Sequence, residues 1–234
     1  MVNEYDRPNP DQASLVRGTS CPHGVLTGTQ RAPTTLEERF NDVVRPCTCG
    51  ERVIRVGFML DIVGYGVRDS PAKDSVQRRL AVMVRLVLDD LGVALTDTDR
   101  QGTGDGIVVI LPKELDVQRV LPLLLRSVSR RLRHDNAEFP DQMRVRMAAH
   151  VGPVSVTELG FGGGMVTETG RLLDSRPLRR WNAEHPEHDL SVVLSDSLYR
   201  FVVAEGVPGL PREEFTRAQV RVKELSTPAW LWTR

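Results

Sequence analysis

From residue 51 onwards the hydrophobic periodicity switches repeatedly between that of a strand and that of a helix, and the order of the switches limits the possible folds. Val53–Val63 is an apolar run of strand length that ends at the turn-forming Gly64-Tyr65-Gly66. A long helix is predicted next, with Asp69 or Ser70 as its N-cap and Pro71 at its first position. Its inner face is formed by Val76, Leu80, Val84 and Leu88.

The later periodic segments complete a β-α-β-β-α-β order with further strands appended. They are strands at Val93–Thr96 and Ile107–Leu111, a helix at Glu114–Arg133, strands at Met143–His150 and Val154–Thr157, a helix at Val166–Asn182, a strand at Leu190–Leu194, and a hairpin of Gln219–Leu225 with Ala229–Trp232. This order predicts an α+β fold with a ferredoxin-like core.

The composition changes near residue 50. Residues 1–50 are rich in Pro, Asn, Asp, Thr and Gly and are predicted to form an extension, whereas residues 51–234 are predicted to form one domain. The extension holds four potential zinc ligands, Cys21, His23, Cys47 and Cys49, but only one residue separates the members of each pair. Structural zinc sites prefer two to four, so zinc binding and free thiols both stay open.

Charge and hydropathy exclude several classes of partner. The 31 Lys and Arg residues balance 31 Asp and Glu residues, so no overall positive field attracts a nucleic acid polymer or an anionic membrane. The chain has no apolar run of the roughly 18 residues that a membrane span needs, and its start is polar. An odd number of cysteines fits a reducing compartment, so a cytoplasmic protein is expected.

Two acidic residues stand where a strand meets a turn, Asp61 in Met59–Tyr65 and Asp105 in Gly102–Gly106. A carboxylate at the end of an apolar strand needs a cation or several hydrogen-bond donors, because its burial without a partner costs several kcal/mol. A divalent cation held by both acids and by substrate phosphates would meet this need. Ordinary turn and capping roles are the alternative.

These segments resemble, in chain order, the motifs of class III nucleotidyl cyclases. The resemblance rests on Asp61-Ile-Val-Gly-Tyr65, Gly104-Asp-Gly106, Ala149-His-Val-Gly152, Val166-Thr-Glu-Thr-Gly-Arg171, Val192–Tyr199 and Val222–Pro228. It implies the class III cyclase fold and a head-to-tail homodimer, whose composite sites take metal ligands from one subunit and the base and transition-state contacts from the other.

The resemblance also implies a set of site residues. Asp61, Asp105 and the backbone carbonyl of Ile62 match the ligands of two divalent metal ions, Mg²⁺ or Mn²⁺. Arg171 matches the transition-state arginine, and Lys223 matches a lysine that binds phosphate. The implied reaction is an attack of the substrate's 3′-hydroxyl on its own α-phosphate with loss of pyrophosphate, for which a guanidinium and a lysine are suitable phosphate partners.

Departures from the family pattern bear on the substrate. Thr167 replaces the ribose-orienting Asn, while Gln101 and Gly160 replace the lysine and the acid that select adenine. Gln101 is able to donate to and accept from the edge of uracil, which favours a pyrimidine. Tyr65 stands where the family usually has Phe, where it either reaches the nucleotide or packs in the core.

The pattern resembles the standalone bacterial pyrimidine cyclases of anti-phage defence (Pycsar), which implies conversion of UTP, or less favourably CTP, to a cyclic nucleotide that activates a separate effector protein. Two alternatives stay open. One is a purine (adenylate) cyclase with an unusual base pocket, and the other is an inactive cyclase-like domain that only binds a nucleotide. Asp61, Asp105 and Arg171 together disfavour the inactive domain, because pure binding needs neither a metal pair nor a transition-state cation.

Overall fold

The computed structural model describes residues 52–157 and 160–234. The predicted extension at residues 1–50, with Cys21, His23, Cys47 and Cys49, lies outside the described residues. Within the described segments the α-helices are α1 (Ser70–Asp90), α2 (Val117–Glu138), α3 (Gly164–Leu173), α4 (Arg176–Glu184) and α5 (Asp196–Val202). The strands are β1 (Val53–Ile62), β2 (Asp99–Gly102), β3 (Gly106–Ile110), β4 (Val145–Thr157), β5 (Gly160–Gly162), β6 (Leu190–Ser195), β7 (Phe215–Val222) and β8 (Leu225–Trp232).

One mixed sheet organises these elements, with the strand order β2-β3-β1-β4-β6-β8-β7. Neighbouring strands are antiparallel except β4 and β6, which are parallel, and β5 folds back onto the end of β4. The portion β4-β1-β3-β2 has the order of a ferredoxin-like sheet, and β6, β8 and β7 extend it. The predicted α+β fold with appended strands is confirmed.

The two faces of the sheet differ in what covers them. On one face, Phe58 and Leu60 of β1 enter a large apolar cluster that is closed by α1, α2 and α5. Alternate residues of β1 point to the opposite face, since side chains alternate along a strand. There Met59 packs with Met165 of α3, and Asp61 lies on this same face. α3 therefore covers the face of the sheet that carries the strand-end acid.

Some predicted boundaries were wrong, and local chemistry explains the differences. The strand expected at Val93–Thr96 is replaced by a 3₁₀ turn at Leu95–Asp97, and the strand β2 starts only at Asp99. Arg55 of β1 fixes β2 in place, because its guanidinium bonds Asp99 and also donates to the Leu111 carbonyl at 2.6 Å. Gln101 therefore lies within the strand β2.

The helix predicted at Val166–Asn182 is two helices. α3 ends before Asp174, and α4 begins after Ser175, whose side chain accepts a hydrogen bond from the Leu178 N–H. Ser175 and Pro177 together form a helix start signal, which the apolar period alone concealed. The helix α5 was not predicted, although Ser195 caps it in the same way.

β4 is one strand where two were predicted, because it passes through Gly152-Pro153 without a break. β6 pairs with β4 only as far as Ala149, so Pro153 has no β6 neighbour that needs its missing N–H. Among the helices of the described segments, none has both the length and the apolar composition that crossing a membrane requires.

Candidate active site

The two predicted metal-binding acids lie next to each other, with Asp61 near the end of β1 and Asp105 in the turn directly before β3. Asp61 stands one residue before the end of β1, where its register partner on β3 is Gly106. The Ile62 N–H donates a hydrogen bond of 2.9 Å to the Asp105 carbonyl oxygen. This contact places Asp105 directly beside the end of β1. The negative charge of Asp105 raises the pKa of the Asp61 carboxyl. The hairpin thus brings two carboxylates to one edge of the sheet.

Glycines on both sides of Asp105 allow this close approach. Gly104 has a φ of 92°, which glycine adopts far more readily than other residues. A Cβ at Gly106 would collide with the Leu60 carbonyl oxygen of β1. The sequence Gly104-Asp-Gly106 therefore lets the hairpin pack its backbone against β1 while Asp105 stays exposed.

Arg146 is a site residue that sequence reasoning missed. It is the register partner of Asp61 on β4, and its Nη2 donates to Asp61 Oδ2. Both side chains are largely buried, with 14% and 10% of their surfaces exposed. A signal was present in Met143–His150, where Arg146 interrupts an apolar strand, but only the register reveals its partner.

The environment of the Asp61 carboxyl favours binding of either a proton or a cation. Burial raises the pKa of the Asp61 carboxyl above its usual value; the Arg146 guanidinium opposes this rise, and the Asp105 carboxylate adds to it. The second oxygen, Oδ1, is buried and has no hydrogen-bond partner in the described residues. An unpartnered carboxylate oxygen beside a second acid is a suitable ligand for a divalent cation.

Ile62, the third predicted metal ligand, and Tyr65, a predicted substrate-binding residue, also have clear positions. Ile62 buries its side chain in the main apolar cluster, so only its backbone is available to a ligand. Tyr65 packs against the same cluster, and the Lys73 Nζ lies 5.7 Å from its ring centroid. In the described part of the chain, no group of three or more His, Cys, Asp or Glu side chains is placed to hold a metal. Asp61 and Asp105 would therefore need substrate oxygens to complete a coordination shell.

A second group of predicted residues is organised by α3. Thr167 and Arg171 are four residues apart on this helix, which places them on one side of it. Arg171 Nη2 donates to Glu224 Oε2 at 2.6 Å, and Glu224 lies in the β7–β8 turn directly after Lys223. The structure therefore brings Arg171 to the hairpin tip that carries Lys223.

α3 is also attached to β4 near Thr167. His150 Nε2 lies 3.0 Å from Glu168 Oε2, and the other ring nitrogen lies 2.8 Å from the Val151 carbonyl oxygen. Both ring nitrogens thus lie within hydrogen-bond distance of an oxygen, and the Glu168 contact joins α3 to β4. Sequence reasoning did not identify Glu168 or Glu224, since both contacts join segments that are distant in sequence.

The two residues at the predicted base-selecting positions are neighbours. Gly160 begins β5 with a φ of 118°, and a Cβ built there would lie 2.5 Å from Gln101 Oε1. The Gln101 side chain therefore extends across the space that a side chain at position 160 would occupy. These positions are 59 residues apart in sequence, so only the tertiary structure brings them together.

Within one chain the two groups have separate partners. Asp61 is paired with Arg146, whereas Arg171 is paired with Glu224. Across residues 52–157 and 160–234, no ion pair joins either acid to Arg171 or Lys223. One chain thus presents an acidic half-site, Asp61 and Asp105, and a basic half-site, Arg171 and Lys223.

Comparison with known proteins gives similarity in structure only. No protein-family model matches the chain, and no curated protein sequence matches it. An adenylate/guanylate cyclase/hydrolase from Silicibacter pomeroyi has a TM-score of 0.58 at 15% identity, covering 79% of this chain and 99% of its own. The guanylyl cyclase Cya2 has a TM-score of 0.54 at 16% identity, with 78% and 92% covered.

A third structure is the guanylate cyclase domain of RhGC from Catenaria anguillulae in complex with GTP, with a TM-score of 0.53 at 12% identity and coverages of 78% and 97%. All three similar structures are described as nucleotide cyclases or cyclase domains. The match covers between 92% and 99% of their own chains. The part of this chain that the structure describes therefore has the class III cyclase fold.

Proposed function

We propose that this protein is a nucleotidyl cyclase that converts UTP, or less favourably CTP, to a 3′,5′-cyclic nucleotide and pyrophosphate. The observation that carries the proposal is the pair of adjacent carboxylates, Asp61 and Asp105, on the β1 and β3 edge of a cyclase fold. The unpartnered Oδ1 of Asp61 supports a cation at this position.

The acidic half-site would hold two divalent cations, Mg²⁺ or Mn²⁺, between Asp61, Asp105 and the Ile62 carbonyl. When bound, such cations lower the pKa of the attacking 3′-hydroxyl and neutralise the triphosphate. By holding these cations, Asp61 and Asp105 would position the 3′-hydroxyl and the α-phosphate for in-line attack. Arg146, whose charge balances Asp61, would pair with phosphate oxygens once Asp61 binds a cation.

The basic half-site would bind the phosphoryl group and the departing pyrophosphate. Arg171 offers a planar guanidinium to the charge that gathers on the phosphoryl oxygens, and Lys223 binds the departing pyrophosphate as a mobile point charge. Thr167, on the same side of α3 as Arg171, retains a hydroxyl for the ribose. Its shorter reach than Asn predicts weaker ribose contacts, and this is the feature that favours the alternative of an inactive nucleotide-binding domain.

The base preference rests on Gln101 and Gly160. Gln101 lies over Gly160, so its amide fills the position that a selecting acid would need. An amide is able to both donate to and accept from the uracil edge. Gln101 is exposed in the single chain, so the bound base or a second chain would have to bury it before it discriminates strongly against a base that leaves it unpaired. Cytosine is the nearer competitor, because a glutamine amide can rotate to match it. A purine cyclase with an unusual pocket is the second candidate, because one of the similar structures is a guanylate cyclase domain in complex with GTP.

The different partners of the two half-sites within one chain support a homodimer. Neither half-site alone holds both metal ligands and a transition-state cation, so we propose that a head-to-tail pair of chains joins the acidic half of one to the basic half of the other. The product would act as a second messenger in bacterial anti-phage defence by activating a separate effector protein.

Product analysis tests the proposed activity. The full chain is incubated with each of UTP, CTP, ATP and GTP plus Mn²⁺ or Mg²⁺, and the products are identified by mass. Cyclic UMP as the main product is expected, and the D61N variant should form none. A cyclic purine as main product would contradict the base assignment, and absence of any cyclic product would support the binding-only domain. The Q101A variant, assayed in parallel, should lose the preference for UTP, whereas an unchanged order would show that another residue selects the base.

A further inference from the structure

The β7–β8 hairpin presents an acid to the proposed transition-state arginine. Val222 and Leu225 are the last paired residues of the hairpin, so Lys223 and Glu224 form a two-residue turn. Glu224 Oε2 accepts a hydrogen bond of 2.6 Å from Arg171 Nη2. The Glu224 carboxylate is therefore bonded to the guanidinium group that must contact phosphate in the proposed reaction.

The backbone of this turn has an unusual conformation at Lys223. Lys223 has a φ of 50° and is the only non-glycine residue of the described segments with a positive φ. Two-residue hairpin turns require such angles, usually from Gly or Asn, and a lysine adopts them at a cost. Strained residues of this kind cluster at functional sites. The turn thus places Lys223 and Glu224 beside Arg171 of α3.

The Arg171–Glu224 contact is exposed, so a ligand can displace it and it adds little to the stability of the fold. The Glu224 side chain is 79% exposed and meets one guanidinium nitrogen, while the Arg171 side chain is 25% exposed. An exposed pair with a single contact contributes little stability, because water and salt screen it. A polyphosphate carries several negative charges and several acceptor oxygens, so it competes well for the same guanidinium.

We propose that Glu224 is a placeholder for substrate phosphate: it pairs with Arg171 in the nucleotide-free protein and must release it when the polyphosphate binds. The inference rests on the proposed function, since that function assigns Arg171 and Lys223 to phosphate. Glu224 therefore lowers the affinity of the basic half-site for phosphate, and it also keeps Arg171 extended toward the hairpin. Glu224 sets substrate affinity and takes no part in bond making.

A double-mutant cycle on phosphate binding tests this role without requiring turnover. Binding of inorganic tripolyphosphate is measured by calorimetry for the wild-type full chain and for the E224Q, R171A and E224Q/R171A variants. The E224Q variant should bind roughly fivefold more tightly, the size expected when one exposed competing carboxylate is neutralised. In the R171A background the same substitution should change the affinity by less than about twofold, because the competition acts through Arg171. E205Q, which neutralises an exposed acid in the α5–β7 connection, serves as the charge-matched control.

Turnover gives a second reading that separates the two proposals. If the protein cyclises a nucleotide, E224Q should lower KM about fivefold and leave kcat nearly unchanged. Unchanged or weaker tripolyphosphate binding in E224Q, or an equal gain in E205Q, would overturn the placeholder role even if the wild type is an active cyclase. A cycle that behaves as expected in a protein without turnover would instead contradict the proposed cyclase activity and leave the phosphate competition standing.

Discussion

At the scale of single residues, the site depends on how one buried carboxylate is balanced. The position of Asp61 at the end of an apolar strand predicted that it needs a cation. Within the described residues, Arg146 bonds one Asp61 oxygen and the other oxygen has no hydrogen-bond partner. The sequence could not reveal Arg146 as this partner, because cross-strand pairing depends on the register of β1 with β4. The consequence is that substitutions at Asp61 must respect Arg146.

Substitution of Asp61 should separate catalysis from stability. D61N retains an oxygen that accepts from Arg146, so it should fold normally yet lose at least about 100-fold in turnover with Mn²⁺. D61A leaves the largely buried Arg146 guanidinium unpaired and should also lose about 1–3 kcal/mol of unfolding free energy. Urea unfolding and turnover are measured together with D74N, an exposed acid of α1, as control. Near wild-type turnover in D61N would rule out the metal-ligand role.

The raised pKa of Asp61 predicts how metal binding depends on pH. Below that pKa a proton occupies the carboxyl, so Mn²⁺ affinity should fall about tenfold for each pH unit. The metal-free folded chain also keeps a proton that the unfolded chain has released above 3.8, so Asp61 should lower stability as the pH rises through its folded pKa. Calorimetric Mn²⁺ titrations over a pH series measure the first effect. D61N should show neither dependence, and a flat wild-type profile would contradict the raised pKa.

At the scale of elements, periodicity predicts an element better than its ends. The apolar stripes of α1 and α2 predicted both helices, and Asp69 caps α1 through the Ala72 N–H at 2.9 Å. The break between α3 and α4 escaped notice because their apolar faces continue across Ser175. β2 was misplaced because its fixing contact, Arg55 with Asp99, joins residues from two distant segments. Contacts between elements, rather than local preference, decide these boundaries.

The junction of α1 and α2 supplies a prediction about stability alone. Asp90, in the last turn of α1, accepts hydrogen bonds from Arg131, Ser127 and Arg130 of α2, and these contacts hold the pKa of its carboxyl well below the usual range. D90N should therefore cost about 1–3 kcal/mol of unfolding free energy at pH 7. A lowered folded-state pKa gives stability that is present above 3.8 and is lost as the pH falls further.

Urea unfolding of wild type, D90N and the exposed-acid control D89N at pH 7 and at pH 3 checks this account. The difference between wild type and D90N should shrink at the lower pH, while D89N should stay close to wild type at both. A D90N cost that is the same at both pH values would show that shape, rather than charge, joins the two helices.

At the scale of the whole molecule, the order of periodic segments predicted the sheet, whereas the site required the third dimension. The β-α-β-β-α-β order was sufficient for the ferredoxin-like core and its appended strands. The sequence also pointed to Gln101 and Gly160, but only the curl of β4 and β5 places one over the other. No ion pair joins the acidic and basic half-sites within the described residues, and the proposed joining of these half-sites across two chains is the central claim.

Mixing two inactive variants tests that claim most directly. D61N lacks the acidic half-site and R171A lacks the basic one, so each homodimer should be inactive. Subunit exchange in an equal mixture should form heterodimers that contain one intact site each. Their cyclic nucleotide formation, measured by product mass, should return to about a quarter of the wild-type rate, since about half of the dimers would be heterodimers with one of two sites intact. Recovery to that level is the predicted result, and no recovery in a mixture that demonstrably exchanges subunits would contradict the account.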